Sequence, residues 1–177
     1  LRLVGKHLNQ AMPFPDAPAH LLLQLDGASE DAVVNDLVTL QTRLNLPEEN
    51  IFIAATPAQK ERLWKARRSI REALKTESPV FLAEDCVVPR SRIPVFLKNL
   101  KQYFASRNLR SIMFGHAGDG NVHIDVLKGD IPSEAWNAML PEVKRDVYLQ
   151  AIDLGGTITG EQGVGHLRRQ YLPLLLD

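Results

Sequence analysis

His116 and His123 bracket the segment His-Ala-Gly-Asp-Gly-Asn-Val-His, and imidazole is a favoured ligand for transition metals. Within it, Asp119-Gly120 is a preferred pair for a two-residue type I′ hairpin turn. With those two residues as the loop, Gly118 faces Asn121, Ala117 faces Val122 and His116 faces His123. Directly opposed side chains lie on one face of a sheet with Cβ atoms about 4.5–5.5 Å apart. Two imidazoles so placed reach one ion at about 2.0–2.1 Å each. On one straight strand the odd separation would send them to opposite faces, so the turn carries the argument. The competing reading is a surface hairpin with two unconnected histidines.

A third ligand is needed for a metal site. Glu161, in Gly160-Glu-Gln-Gly163, lies in a second glycine-rich stretch just before a helix start. Glycine there permits positive φ and close backbone approach to a ligand. The residues alone do not single it out: a solvated carboxylate near a helix N-terminus is the plainer reading. Cys86 is the single cysteine. It excludes an internal disulfide, suits a reducing compartment, and sits in an alternating apolar stretch that predicts a buried thiol.

These groups must be carried by a soluble core. The chain has 177 residues, 45% hydrophobic and 24% charged, with a formal net charge of zero. That is enough for one domain and ordinary for a globular protein. No basic block suggests nucleic acid as a partner, and no apolar run is long enough for a transmembrane segment. The chain starts at Leu1 without methionine and ends on Leu-Pro-Leu-Leu-Leu-Asp, which reads as a fragment.

Hydrophobic spacing predicts strands at 21–26, 51–55, 81–88, 111–115 and 122–127. Helices are predicted after Ser29 as an N-cap, from Thr56-Pro57 through Ile70, and after Ser91 as a cap. Another runs from Ser133 to about Leu154, with Pro141 a kink or break, and Gly155-Gly156 ends it. A last short helix follows Gly165. The order favours an α+β fold, a ferredoxin-like sandwich with a largely antiparallel sheet and helices packed on one face. An open parallel sheet is the alternative, weakened because no strand leads into a dinucleotide-binding glycine fingerprint.

The two glycine-rich segments resemble the C-terminal domain of flavin-linked oxidases. That domain occurs in the glycolate oxidase D subunit, D-lactate dehydrogenases and D-2-hydroxyglutarate dehydrogenases of the vanillyl-alcohol-oxidase superfamily. The family's hairpin, roughly His-x-Gly-Asp-Gly-Asn-x-His, is matched from His116 to His123. Its Gly-Glu-His-Gly-x-Gly is matched from Gly160 to Gly165 except at Gln162. Weaker echoes are Pro13 to Gly27, Leu63-Trp-Lys-Ala-Arg67, and Glu84 to Ser91.

The resemblance implies that residues 1–177 form a ferredoxin-like cap, or substrate, domain, with an N-terminal FAD-binding domain and a final C-terminal segment lying outside it. The uncovered apolar surface this leaves predicts dimerisation or contact with other oxidase subunits. The resemblance makes His116, His123 and Glu161 ligands of a divalent metal, zinc, manganese or iron, with one position open as in catalytic sites. It makes Arg67 the fork for the substrate carboxylate, although Arg68 or Arg71 could face inward instead. It makes Asn121 a site asparagine, a residue that could equally stabilise the turn. The implied reaction oxidises a 2-hydroxy acid to a 2-oxo acid, with hydride passing to FAD. The implied place is cytoplasmic, peripheral to the membrane through partner subunits, and the fragment alone is expected to be inactive.

The family's base is the histidine of Gly-Glu-His-Gly, and Gln162 stands there. A carboxamide does not serve as a general base. Three readings follow: His166, one helical turn on, or the metal replaces that base; the chemistry or substrate differs; or the chain is an inactive paralogue. The retained metal ligands favour the second. A non-catalytic metal-binding or assembly module is the alternative class.

Overall fold

A computed structural model describes residues 1–176. The chain divides into two compact units, Leu1–Thr76 and Glu77–Asp177.

The first unit is helical: α1 (Arg2–Leu8), α2 (Glu30–Leu44), α3 (Pro57–Arg68) and α4 (Ile70–Glu77), which crosses into the second. Ser29 caps α2, accepting from the Ala32 N–H. Thr56 and Gln59 form a capping box on α3, with Pro57 in its first turn. The helix predicted through Ile70 ends at Arg68, and Ser69 separates α3 from α4. Val4, Met12, Ala66 and Ala73 make a small core. The expected strands at 21–26 and 51–55 do not form: Leu21, Leu22, Leu23, Phe52 and Ile53 are exposed. A short apolar run meets the strand pattern, but without a partner its backbone groups form no ladder.

The second unit contains β1 (Phe81–Val87), α5 (Ile93–Ser106), β2 (Arg110–His116), β3 (Asn121–Leu127), α6 (Ser133–Asp153) and α7 (Gly165–Arg168). The sheet order is β1-β3-β2, with both outer strands antiparallel to β3. An antiparallel bridge between Val87 and Thr157 adds a rudimentary fourth position beside β1. This is the β-α-β-β-α order of the ferredoxin-like motif, with its last strand reduced to one bridge. The α+β fold with an antiparallel sheet is borne out. Pro89 ends β1, but a 3-10 turn at Arg90–Arg92 intervenes, so Ser91 does not cap α5. α6 runs through Pro141 without a break.

Strand alternation sorts the sheet into two faces. Leu82, Cys86, Val88, Val122, Ile124 and Val126 face α5 and α6. There they pack with Phe96, Leu100, Phe104, Trp136, Val147 and Tyr148. Burying each phenylalanine contributes about 1.5–3 kcal/mol. The opposite face carries Asp85, Asn121, His123 and Asp125, all buried. Among the described residues no helix is long and apolar enough to cross a membrane.

Candidate metal centre

The hairpin closes differently from the two-residue expectation. His116 pairs with Asn121, and Phe114, not His116, stands opposite His123. Residues Ala117–Asp119 form a 3-10 turn, and Gly120 follows at φ 78°. A type I′ turn needs positive φ at both central residues, and here only Gly120 of the pair has it. A Cβ at Gly120 would also strike the Val88 carbonyl. The correction moves the register by an even number, so the side chains keep their faces. His116 and His123 therefore become diagonal neighbours, still within reach for long or aromatic side chains.

Their rings lie 5.7 Å apart between centroids, at 88°. His123 is buried and packs on Phe114, ring centroids 5.2 Å apart. Its Nε2 lies 3.3 Å from Glu161 Oε1. One ligand atom from each of His116, His123 and Glu161 falls within 4.8 Å of the others. Two ligands of a tetrahedral ion, each at roughly 2.0–2.1 Å, stand about 3.3–3.4 Å apart. The His123–Glu161 pair has that spacing, and two imidazoles with a carboxylate are donor types that suit a divalent ion. His116 and Glu161 are exposed, which leaves one side open to a further ligand.

Asp85 entered the sequence reading only as part of the Glu84 to Ser91 echo, without a site role, and Asp125 did not enter it. Asp85 is fully buried. Its Oδ1 accepts from Asn121 Nδ2 at 2.5 Å and lies 3.2 Å from His123 Nδ1. Its Oδ2 accepts from the Gly160 and Gln162 backbone N–H groups at 3.0 and 3.1 Å. Burial alone would raise this carboxyl. The bonds from Asn121, Gln162 and Gly160, with the His123 charge, outweigh burial and hold it below its ordinary range. The available signal was the strand register: Asp85 is the β1 partner of His123. Asp125 lies two residues beyond His123 on the same face, in the alternation Asn-Val-His-Ile-Asp-Val.

The approach of the glycine-rich loop to the sheet requires a glycine. A Cβ at Gly160 would collide with Asn121 Nδ2 and stand 3.1 Å from Asp85 Oδ1. On the helix-facing side of β1, Glu84 accepts from the Tyr148 hydroxyl and from Arg168 Nε at 3.0 Å. Arg168 Nη1 donates to the Gly163 carbonyl at 2.8 Å.

The other site candidates fall as follows. Asn121 is buried and bonds Asp85, while its Oδ1, also buried, has no hydrogen-bond partner among the described residues. Gln162 is exposed and meets Asp85 through its backbone. His166 is exposed on α7 and is not one of the converging metal-competent side chains among the described residues. Arg67 is half-buried on α3, in the first unit. Arg68 is spent on an exposed ion pair with Glu61. Cys86 is buried, and burial raises its thiol, so it is no nucleophile.

Similarity to known proteins agrees with this architecture. The chain is 33% identical over 156 residues to a D-lactate dehydrogenase of Anaerostipes hadrus, covering 87% of this chain and 33% of that protein. It is 34% identical over 161 residues to the glycolate oxidase subunit GlcD of Bacillus subtilis, covering 90% and 34%. It is 28% identical over 177 residues to the mitochondrial D-2-hydroxyglutarate dehydrogenase of Rattus norvegicus, covering 97% and 32%. The chain thus spans about a third of the length of the curated relatives it matches. The family model for FAD linked oxidases, C-terminal domain, matches residues 1–177, and the chain belongs to that family.

Proposed function

We propose that this chain is the substrate-side domain of an FAD-dependent 2-hydroxy-acid dehydrogenase, with His116, His123 and Glu161 holding a divalent metal. The observation that carries the reading is that those three donors, from two separate glycine-rich segments, come within 4.8 Å of one another. FAD, held by a neighbouring domain, would supply the hydride acceptor. Zinc, manganese or iron suits the donor set, and when bound it supplies Lewis acidity that lowers the pKa of the substrate hydroxyl.

This chain's own residues bind and orient. His123 stands between two carboxylates, Asp85 Oδ1 at 3.2 Å from Nδ1 and Glu161 Oε1 at 3.3 Å from Nε2; with a cation held at Nε2 its remaining proton would sit on Nδ1, facing Asp85. Arg67 is the proposed fork for the substrate carboxylate on the family resemblance alone, and Asn121, which donates to Asp85, is the proposed site asparagine on the same ground. Gln162, at the position of the family's base, takes no proton near neutral pH, so the proton must leave by another group. The relatives named above act, by their names, on D-lactate, glycolate and D-2-hydroxyglutarate. A small D-2-hydroxy acid is therefore the proposed substrate. The cytoplasm is the proposed location, in keeping with a single buried thiol.

The test has two arms. Dialysis of the chain against zinc or manganese should leave one ion bound, lost in His123→Ala; a wild type that retains none rejects the ligand assignment. In the protein joined to its flavin domain, D-2-hydroxy acids should reduce a dye, and a chelator should stop it. Full turnover after chelation rejects the metal's role. In the same assay Gln162→His should raise kcat if proton removal limits turnover.

A further inference from the structure

Glu84 and Asp85 are consecutive on β1, so their side chains leave opposite faces of one strand. Both are buried carboxylates, and both end on the same loop. Asp85 takes the backbone N–H groups of Gly160 and Gln162, the two neighbours of Glu161, on a single oxygen. Glu84 reaches the loop through Arg168, whose guanidinium donates to Glu84 and to the Gly163 carbonyl. The other oxygen of Asp85 faces Asn121 Nδ2 and His123 Nδ1, on the hairpin. One carboxylate therefore touches both segments that supply the converging donors, and its neighbour holds the same loop from behind.

We propose that the Glu84-Asp85 pair is the positioning device of this centre: Asp85 sets the His123 ring and the backbone around Glu161 in one frame, and Glu84 locks that frame through Arg168. The inference rests on reading His116, His123 and Glu161 as a ligand set, and it names what gives that set its geometry. Neither carboxylate is a ligand: each of the two is filled by donors from the protein itself. Groups that orient metal ligands in this way typically change metal affinity 10–100-fold when removed, an order-of-magnitude expectation of about that size here.

The experiment compares wild type and Asp85→Asn, which keeps shape but removes the charge. Nitrogen-15 NMR of the metal-free chain is recorded about two pH units above the ordinary imidazole value of roughly 6.5. In a Glu161→Gln background, which removes the carboxylate 3.3 Å from Nε2, His123 should carry its proton on Nδ1, and in wild type the Gly160 and Gln162 amides should be protected from exchange. Asp85→Asn should lose the tautomer preference in that background and the amide protection in the otherwise wild-type chain. Its zinc affinity by calorimetry should fall by about 10–100-fold. A merely structural role would lower thermal stability and leave tautomer and affinity unmoved in the folded molecules. An Nε2–H tautomer in the Glu161→Gln background, or unchanged amides and affinity in Asp85→Asn, overturns the proposal. If Asp85→Asn fails to fold, the tautomer in Glu161→Gln and the wild-type amide protection decide alone. If wild type binds no metal, the ligand reading fails, and those metal-free signals still support or overturn the positioning.

Discussion

Replacing Arg168 with methionine measures how firmly the glycine-rich loop is tied to the sheet. The Glu84 carboxylate is 3% exposed and has three partners: the Tyr148 hydroxyl, Arg168 Nε at 3.0 Å and Lys144 Nζ at 3.5 Å. Methionine keeps the apolar stem and removes the guanidinium. Breaking a buried ion pair from one side costs about 3–5 kcal/mol, because the stranded charge keeps its desolvation penalty. Two partners survive here, one of them at long range, so the lower end applies, about 3 kcal/mol. The lost bond to Gly163 adds little, since Gly163 is exposed and water can replace the donor. Adding Glu84→Gln removes the stranded charge and lets Tyr148 donate to the amide oxygen. The double variant should therefore recover at least about 1.5 kcal/mol of the loss. Urea unfolding is followed by Trp136 fluorescence in a Trp64→Phe background, because Trp136 is buried in α6 and Trp64 lies in the other unit. A single-variant loss under about 1 kcal/mol, or losses that simply add, would refute the reasoning.

Two further outcomes are expected. Gly160→Ala should destabilise the loop by about 1–3 kcal/mol and weaken zinc binding, since its Cβ collides with Asn121. Gly118→Ala, with open space around it, should stay within about 0.5 kcal/mol of wild type; equal effects at the two glycines would sink the close-approach argument. The Cys86 thiol is held up by burial and by the Glu84 and Asp85 carboxylates. The unfolded thiol ionises near pH 8.5 while the native one stays protonated, so above that pH the native state binds more protons. Stability is therefore intact below about pH 8.5 and falls above it, by up to about 1.4 kcal/mol per pH unit from this group. Cys86→Ala should flatten that alkaline slope in pH-dependent urea unfolding; an unchanged slope would contradict it.

Local chemistry made the second unit legible and left the first partly unread. Pro89, the paired glycines at 155 and 156, and the alternation of β3 mark boundaries by backbone restriction, which acts without tertiary help. Leu21 to Leu23 carried only apolarity, a signal that needs a partner strand to mean anything. The helix at Arg2–Leu8 escaped notice because its stabilising contacts, such as Val4 in the small core with Ala66, are distant in sequence. At the site, the histidine pair was legible as a pair but not as a geometry. Asp-Gly fits a two-residue turn and equally the end of a longer one, and only the sign of φ at Asp119 separates them.

Asp85 was illegible for a different reason. A carboxylate inside an apolar strand reads as a solvated edge residue unless its donors are known, and here they come from residues 160 and 162 and from the hairpin. Burying it without them would raise its pKa and neutralise it. Its depressed pKa is therefore a property of the assembled loop and not of the strand. The consequence is a dependence in both directions. The loop holds its place because Asp85 is charged, and Asp85 stays charged because the loop is in place. A site built this way should form cooperatively: Glu161 comes opposite His123 only when the glycine-rich stretch has closed over β1, and a lesion at either end should scatter all three donors together.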